Sequence, residues 1–190
     1  MAKCFDVVGY IEPCNAVRQK YTGRALLITG NNDNTPIVFT FSDNGLEVSQ
    51  IGGVNNLTEL SSLMKFPVFI NAENPFGVTV QGNTDSGRVM YTKTIPVSMP
   101  ATRDGKAEEF IMGLQKVSKN AIIVLEPFGD TSYGDVFGSY CSARIDPASV
   151  TRSEYENGGA WQFNIVCEEP FPNVIFGIEG LTETLDALKA

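Results

Sequence analysis

The sequence predicts a mainly β protein: an antiparallel β-sandwich or small barrel with one helix packed on the side and a C-terminal helix. Three observations lead there. About eight to ten apolar runs of roughly six residues are punctuated by clusters of Asn, Gly, Asp and Ser, the residues that turn a chain between strands. One long mid-chain segment and one terminal segment carry apolar residues at helical spacing. The two kinds of segment do not alternate in the strand, helix, strand rhythm that a parallel sheet requires.

Taken in order, FDVVGYI (5–11) is a strand ending before Glu12-Pro13, where proline removes a ladder donor. Runs 24–29 and 36–41 flank Gly30-Asn31-Asn32-Asp33-Asn34, and so predict a hairpin. Ser42-Asp43-Asn44-Gly45 turns the second of them into a strand over 46–50. LTELSSL (57–63) has the spacing of two helical turns, while 66–70 and 76–80 read as short strands. The polar stretch 82–87 is a turn into a long strand, 88–97, with Val89, Tyr91, Ile95 and Val97 in one phase and Pro96 making its end an edge or a bulge.

Asp104 is placed to cap a helix over 105–118. Glu108 and Glu109 lie in its first turns and Ala107, Phe110, Ile111, Leu114 and Val117 form one stripe; Gly113 would allow close approach. A strand over 120–126, apolar throughout from Ala121 to Leu125, should be covered on both faces if it is central. A single strand, 135–145, puts Phe137, Cys141, Ala143 and Ile145 on one side. Asn157-Gly158-Gly159 turns into AWQFNIVC (160–167), the cleanest alternation in the chain. A strand over 174–178 and a helix over 181–189, with Leu181, Leu185 and Leu188 spaced for docking on the body or on a partner, complete the chain. The division is a single β-rich domain over 1–180 and a helical tail over 181–190.

At 190 residues, the chain can bury roughly 70% of its unfolded surface and needs no staple. Its net charge of -8 is concentrated in residues 120–190, where 11 acids face Arg144, Arg152 and Lys189. Such a balance does not suit a phosphate-gripping surface. The start of the sequence and its lack of a long apolar run point to no membrane partner and to a product made in the cytoplasm.

The chain has no histidine, which excludes Ser-His-Asp and Cys-His nucleophilic groups and imidazole metal sites. Cys4, Cys14, Cys141 and Cys167 form no CxxC pair, and Cys141 and Cys167 read as small buried hydrophobes. No glycine segment has phosphate-loop spacing. Glu108-Glu109 and Glu168-Glu169 read as capping and solvated acids rather than glycosidase carboxylates, and Asp130, Asp135 and Asp146 lack a calcium-loop pattern. The expectation is of no enzyme, no catalytic residue, no metal and no cofactor. Trp161 reads as a core anchor, with Tyr133, Phe137 and Tyr140 as candidate interface aromatics.

The order of the parts (paired strands 24–29 and 36–41, long strand 88–97, helix 105–118, strand 120–126, closing strands 135–145 and 160–167) resembles the tail tube and ring-forming structural proteins of tailed bacteriophages. The resemblance is one of architecture and spans most of residues 20–170. It implies a virion protein forming a ring or tube segment, as a tail tube, connector ring or baseplate adaptor. Its partners would be copies of itself in a hexameric ring, other virion proteins, and DNA passing through a lumen without sequence-specific binding. Residues 30–60 would be the loop that stacks one ring on the next. A capsid decoration protein of the virion surface and a carbohydrate-binding adhesion module, with Trp161 or Tyr140 as the sugar platform, are the alternatives.

Overall fold

The computed structural model describes residues 21–28, 38–43, 47–51, 68–71, 76–85, 88–101, 105–116, 121–129, 134–139, 141–153, 159–170, 175–176 and 181–189. Within them the fold is mainly β, as the alternation predicts. The strands are β1 (Tyr21–Ile28), β2 (Phe39–Phe41), β3 (Glu47–Ile51), β4 (Val68–Asn71), β5 (Thr79–Asp85), β6 (Arg88–Pro100), β7 (Ile122–Pro127), β8 (Gly134–Phe137), β9 (Arg144–Ile145), β10 (Thr151–Ser153), β11 (Ala160–Glu169) and β12 (Ile175–Phe176). The helices are α1 (Lys106–Lys116) and α2 (Leu181–Lys189), and a 3-10 turn covers Pro147–Ser149.

Two sheets result. The first runs β2-β3-β12-β8-β7-β1-β4; the second runs β10-β11-β6-β5, with β9 also paired to β11. All pairs are antiparallel except β3 with β12. The inner faces meet in one apolar cluster: Ala25, Leu27, Ile123, Leu125 and Phe137 from the first sheet, Ile95, Val97, Phe163, Ile165 and Cys167 from the second, and Ile111 from α1 at the side.

The continuous apolar run of β7 is explained by its two covered faces. Ile123 and Leu125 join the inter-sheet cluster, whereas Ile122 and Val124 face the other way and are also fully buried. The tail helix α2 covers that second face with Leu181 and Leu185, both fully buried, and packs against β1 and β4. A Cβ on Gly134 would lie 2.7 Å from both Leu181 and Val124, so glycine is what lets β8 pass beneath the helix. The tail therefore docks on its own body. Leu residues buried to this extent stabilise by about 1.5–3 kcal/mol each.

Several expectations are corrected. The hairpin joining 24–29 to 36–41 does not exist: β1 pairs with β4 and β7, and β2 pairs with β3 at the far edge. Hydrophobic pattern locates strands but carries no label for a partner about a hundred residues away. The strand expected over 135–145 is broken at Gly138, whose φ of 92° lies in the left-handed region. A Cβ there would collide with Ala121 O and Ala143 N, both at 2.7 Å, so the chain turns tightly and moves from the first sheet (β8) to the second (β9). The polar stretch expected to turn at 82–87 continues as strand to Asp85. Gly113 faces open space rather than a close neighbour. Pro96 lies just past the β5 ladder, which starts at Thr79 opposite Thr94, so β6 is locally an edge there, as proline requires.

Among the described residues neither sheet closes into a barrel or curls into a solenoid, and no helix is long and apolar enough to cross a membrane. The barrel alternative is thereby replaced by a sandwich of open sheets. The ring or tube segment with a DNA-conducting lumen is likewise corrected, since the strands supply no closed or curled wall to line a channel. The proposed stacking loop is corrected with it: its described parts, β2 and β3, are laid into the edge of the first sheet. The predicted strand 5–11, helix 57–63 and cap Asp104 lie outside the described residues.

Candidate interaction surface

A wholly buried ion pair lies between the sheets. Lys93 occupies the inward phase of β6 between Tyr91 and Ile95, and Glu169 occupies that of β11 after Cys167; both side chains are wholly buried. Lys93 Nζ donates to Glu169 Oε2 and sits 5.0 Å from the centre of the Phe137 ring. Glu169 Oε1 accepts from Gly138 N at 2.8 Å, Ser139 N at 3.0 Å and Ser139 Oγ at 3.1 Å. One carboxylate thus ties the turn after β8 to the opposite sheet. Each ion is compensated by its partner and by directed hydrogen bonds, the condition for burying charge. Neither reaches solvent, so the pair acts as a latch between layers.

A second polar group fastens α2. Glu126, at the end of β7, accepts from Arg24 Nη2 at 2.7 Å, Thr22 Oγ1 at 2.8 Å and Thr182 Oγ1 at 3.0 Å. Arg24 Nη1 reaches on to Asp186 Oδ1 at 2.5 Å. Beneath the sheet, the Tyr21 hydroxyl donates to buried Asp135, and burial together with that carboxylate raises the phenol pKa well above its ordinary value.

The residues singled out in the sequence are scattered by the fold. Phe137 is buried in the core, so it is not an interface aromatic; Tyr133 and Tyr140 lie outside the described residues. Trp161 packs half-buried against the core edge, donates from Nε1 to Glu108 Oε1 at 3.1 Å, and lies under Arg152. Glu168 and Glu169 point to opposite faces, but Glu169 is the latch, not a solvated acid. Asp146 accepts from Ala148 N and starts the 3-10 turn, far in role from a calcium ligand. Cys167 is buried as expected, whereas Cys141 is exposed because the break at Gly138 removes it from strand phase. The missed residue was Lys93. Its signal is present in the sequence: it is the one charged residue in the apolar phase Val89, Tyr91, Ile95, Val97.

The outer face of the second sheet carries an open concavity of about 290 Å³ lined by Thr92, Arg144, Asp146, Pro147, Val166 and Glu168. Arg144 Nη2 and Glu168 Oε1 stand 3.9 Å apart across it, both well exposed. It holds a loose ion pair and little enclosed apolar surface.

The β5–β6 hairpin is more unusual. Every residue of β5 from Thr79 to Thr84 is exposed, on both faces of the strand. Among the described residues its partner strand keeps a neighbour on the other side only as far as Tyr91, opposite Glu169, where β11 ends. Residues Asn83–Asp85 and Arg88–Met90 therefore form a two-stranded arm past the sandwich, carrying Val89 with 54% of its surface exposed, and Val80, further back on β5 opposite Lys93, is 43% exposed. Asn83 Nδ2 donates to Thr92 Oγ1 at 2.9 Å, and the Tyr91 ring lies 3.5 Å from where a Gly82 Cβ would be, so cross-strand contacts hold the arm. The outer edge of β5 has no partner among the described residues. The other sheet edges, β2, β4 and β10, are three, four and three residues long; β5 has seven.

Searches for relatives return no matching family model, no matching curated protein and no matching solved structure.

Proposed function

We propose that this chain is a non-catalytic assembly module that associates with protein partners by strand addition at the β5 edge. The observation that supports it most is the exposure of β5 on both faces together with an outer edge that is unpaired among the described residues. Proteins usually blunt such edges with charge, proline, bulges or shortness. Residues 79–84 of β5, TVQGNT, contain none of the charged residues or prolines that would do so, and the strand is regular. An edge of this kind binds a second strand through main-chain hydrogen bonds, with alternate side chains setting specificity. The buried Lys93–Glu169 pair fastens the two layers and the partly exposed Arg24, Glu126 and Asp186 group fastens α2, which fits a scaffold.

The test is hydrodynamic. The connection between Asp85 and Arg88 has two residues, so Asp85 and Arg88 form a hydrogen-bonded pair and the main chain of Val80, Gly82 and Thr84 faces the outer edge. Val80→Pro removes an outward N–H without touching the β5–β6 ladder. Light scattering over a concentration series should show mass rising for the natural chain and constant monomer for the variant. Added salt should strengthen association of the natural chain, because a net charge of -8 repels like copies and is screened. Equal behaviour of the two proteins counts against the reading.

A further inference from the structure

We infer that the strand received by β5 is β5 of a second copy, antiparallel about a twofold axis at Gly82; this rests on the assembly reading above. The sequence of the edge is complementary to itself in that register. With Gly82 opposite the partner's Gly82, Val80 meets the partner's Thr84 and Gln81 meets the partner's Asn83, while Thr79 meets the partner's Asp85. β-branched residues thus oppose each other on one face. On the other face amide opposes amide, a pair that can exchange hydrogen bonds across the strands.

Charge supports the same occupant. Asp85 is the single charged residue of β5, and this register sets the two copies of it at opposite ends of the new ladder, so no like charges meet despite the acidic chain. The main chain agrees as well. Antiparallel pairing needs residues at the axis whose N–H and C=O point outward or pairs flanked by such residues, and Gly82 belongs to the outward set. Asn83 Nδ2 is engaged by Thr92, which leaves its Oδ1 to accept from the partner's Gln81. At Gly82 the absent side chain leaves a slot on the face where Tyr91 lies, and the two Tyr91 rings approach it from either side of the axis. The joined hairpins would make one sheet running through both copies.

Cysteine cross-linking tests the register. In a chain with Cys4, Cys14 and Cys141 replaced by serine, Gln81→Cys and Asn83→Cys are made separately. Mixing the two under mild oxidation should give a disulfide-linked heterodimer in high yield, because residues 81 and 83 face each other as a non-hydrogen-bonded pair with short Cβ separation. Each variant alone should give at least tenfold less. A dominant Gln81→Cys homodimer, or no cross-link from a mixture that still associates and still loses association on Val80→Pro, overturns the register while leaving edge addition intact. A chain that stays monomeric overturns both. A mixture that associates regardless of Val80→Pro overturns the use of this edge.

Discussion

Lys93 and Glu169, 76 residues apart in sequence, form an ion pair in which both side chains are wholly excluded from solvent. Their strands lie side by side in one sheet, but the carboxylate's second oxygen takes hydrogen bonds from the turn that leaves the other sheet. The pair is therefore a fastening between layers. Removing one partner leaves the other charged and unpaired, which costs far more than the pair contributes over an apolar substitute.

Lys93→Met should accordingly destabilise the fold by about 3–5 kcal/mol in urea unfolding. Adding Glu169→Leu to it should recover only part of that loss, because Gly138 and Ser139 then lose their acceptor. A double variant as stable as the natural chain would show that the turn is held by other contacts.

Deleting residues 181–190 should lower stability and raise binding of an apolar dye. The helix removes Leu181 and Leu185 from water and covers the face of β7 opposite the core. About 3 kcal/mol or more is expected from the two leucines. Arg24→Ala should weaken the same docking, since Arg24 joins Glu126 of the sheet to Asp186 of the helix. Unchanged denaturation profiles for both variants would place the helix outside the folded unit.

Alkylation at neutral pH should label Cys141 and spare Cys167. Cys141 is exposed, whereas burial, reinforced by the nearby Glu169 carboxylate, pushes the Cys167 thiol up to about 12 and keeps it protonated. Peptide mapping by mass spectrometry reads the outcome. Equal labelling of both would mean that β11 opens readily.

Stability should fall on the alkaline side. A thiol that titrates near 8.5 when unfolded and near 12 when folded releases its proton from the unfolded chain first. Its contribution is complete below about pH 8.5 and is lost progressively as pH rises through the folded value. Tyr21 acts with the same sign above about pH 10, its ordinary value. Thermal melts from pH 7 to 11 should show this decline, and Cys167→Ala should flatten its first part.

Strands whose information is local were legible in the sequence. The alternation in β6 and β11, the stripe of α1, the continuous run of β7 and the spacing of Leu181 and Leu185 each follow from one segment and its own period. What the sequence concealed depends on pairing across distance. β1 was joined to the wrong neighbour, the break at Gly138 comes from the approach of Ala121 and Ala143, and Lys93 tolerates burial because Glu169 arrives on the adjacent strand. The arm was hidden for a related reason. Gly82-Asn83-Thr84-Asp85 has turn composition, and β6 imposes strand geometry on it through the ladder and through Tyr91 lying over Gly82.

Amide hydrogen exchange at single residues, followed by NMR over a concentration series, tests the account most directly. The N–H groups of Gln81 and Asn83 already face β6, whereas those of Val80, Gly82 and Thr84 face outward. The account predicts that exchange at Val80, Gly82 and Thr84 slows as concentration rises, while Gln81 and Asn83 change little. Fast exchange at all three outward amides at every concentration would contradict it.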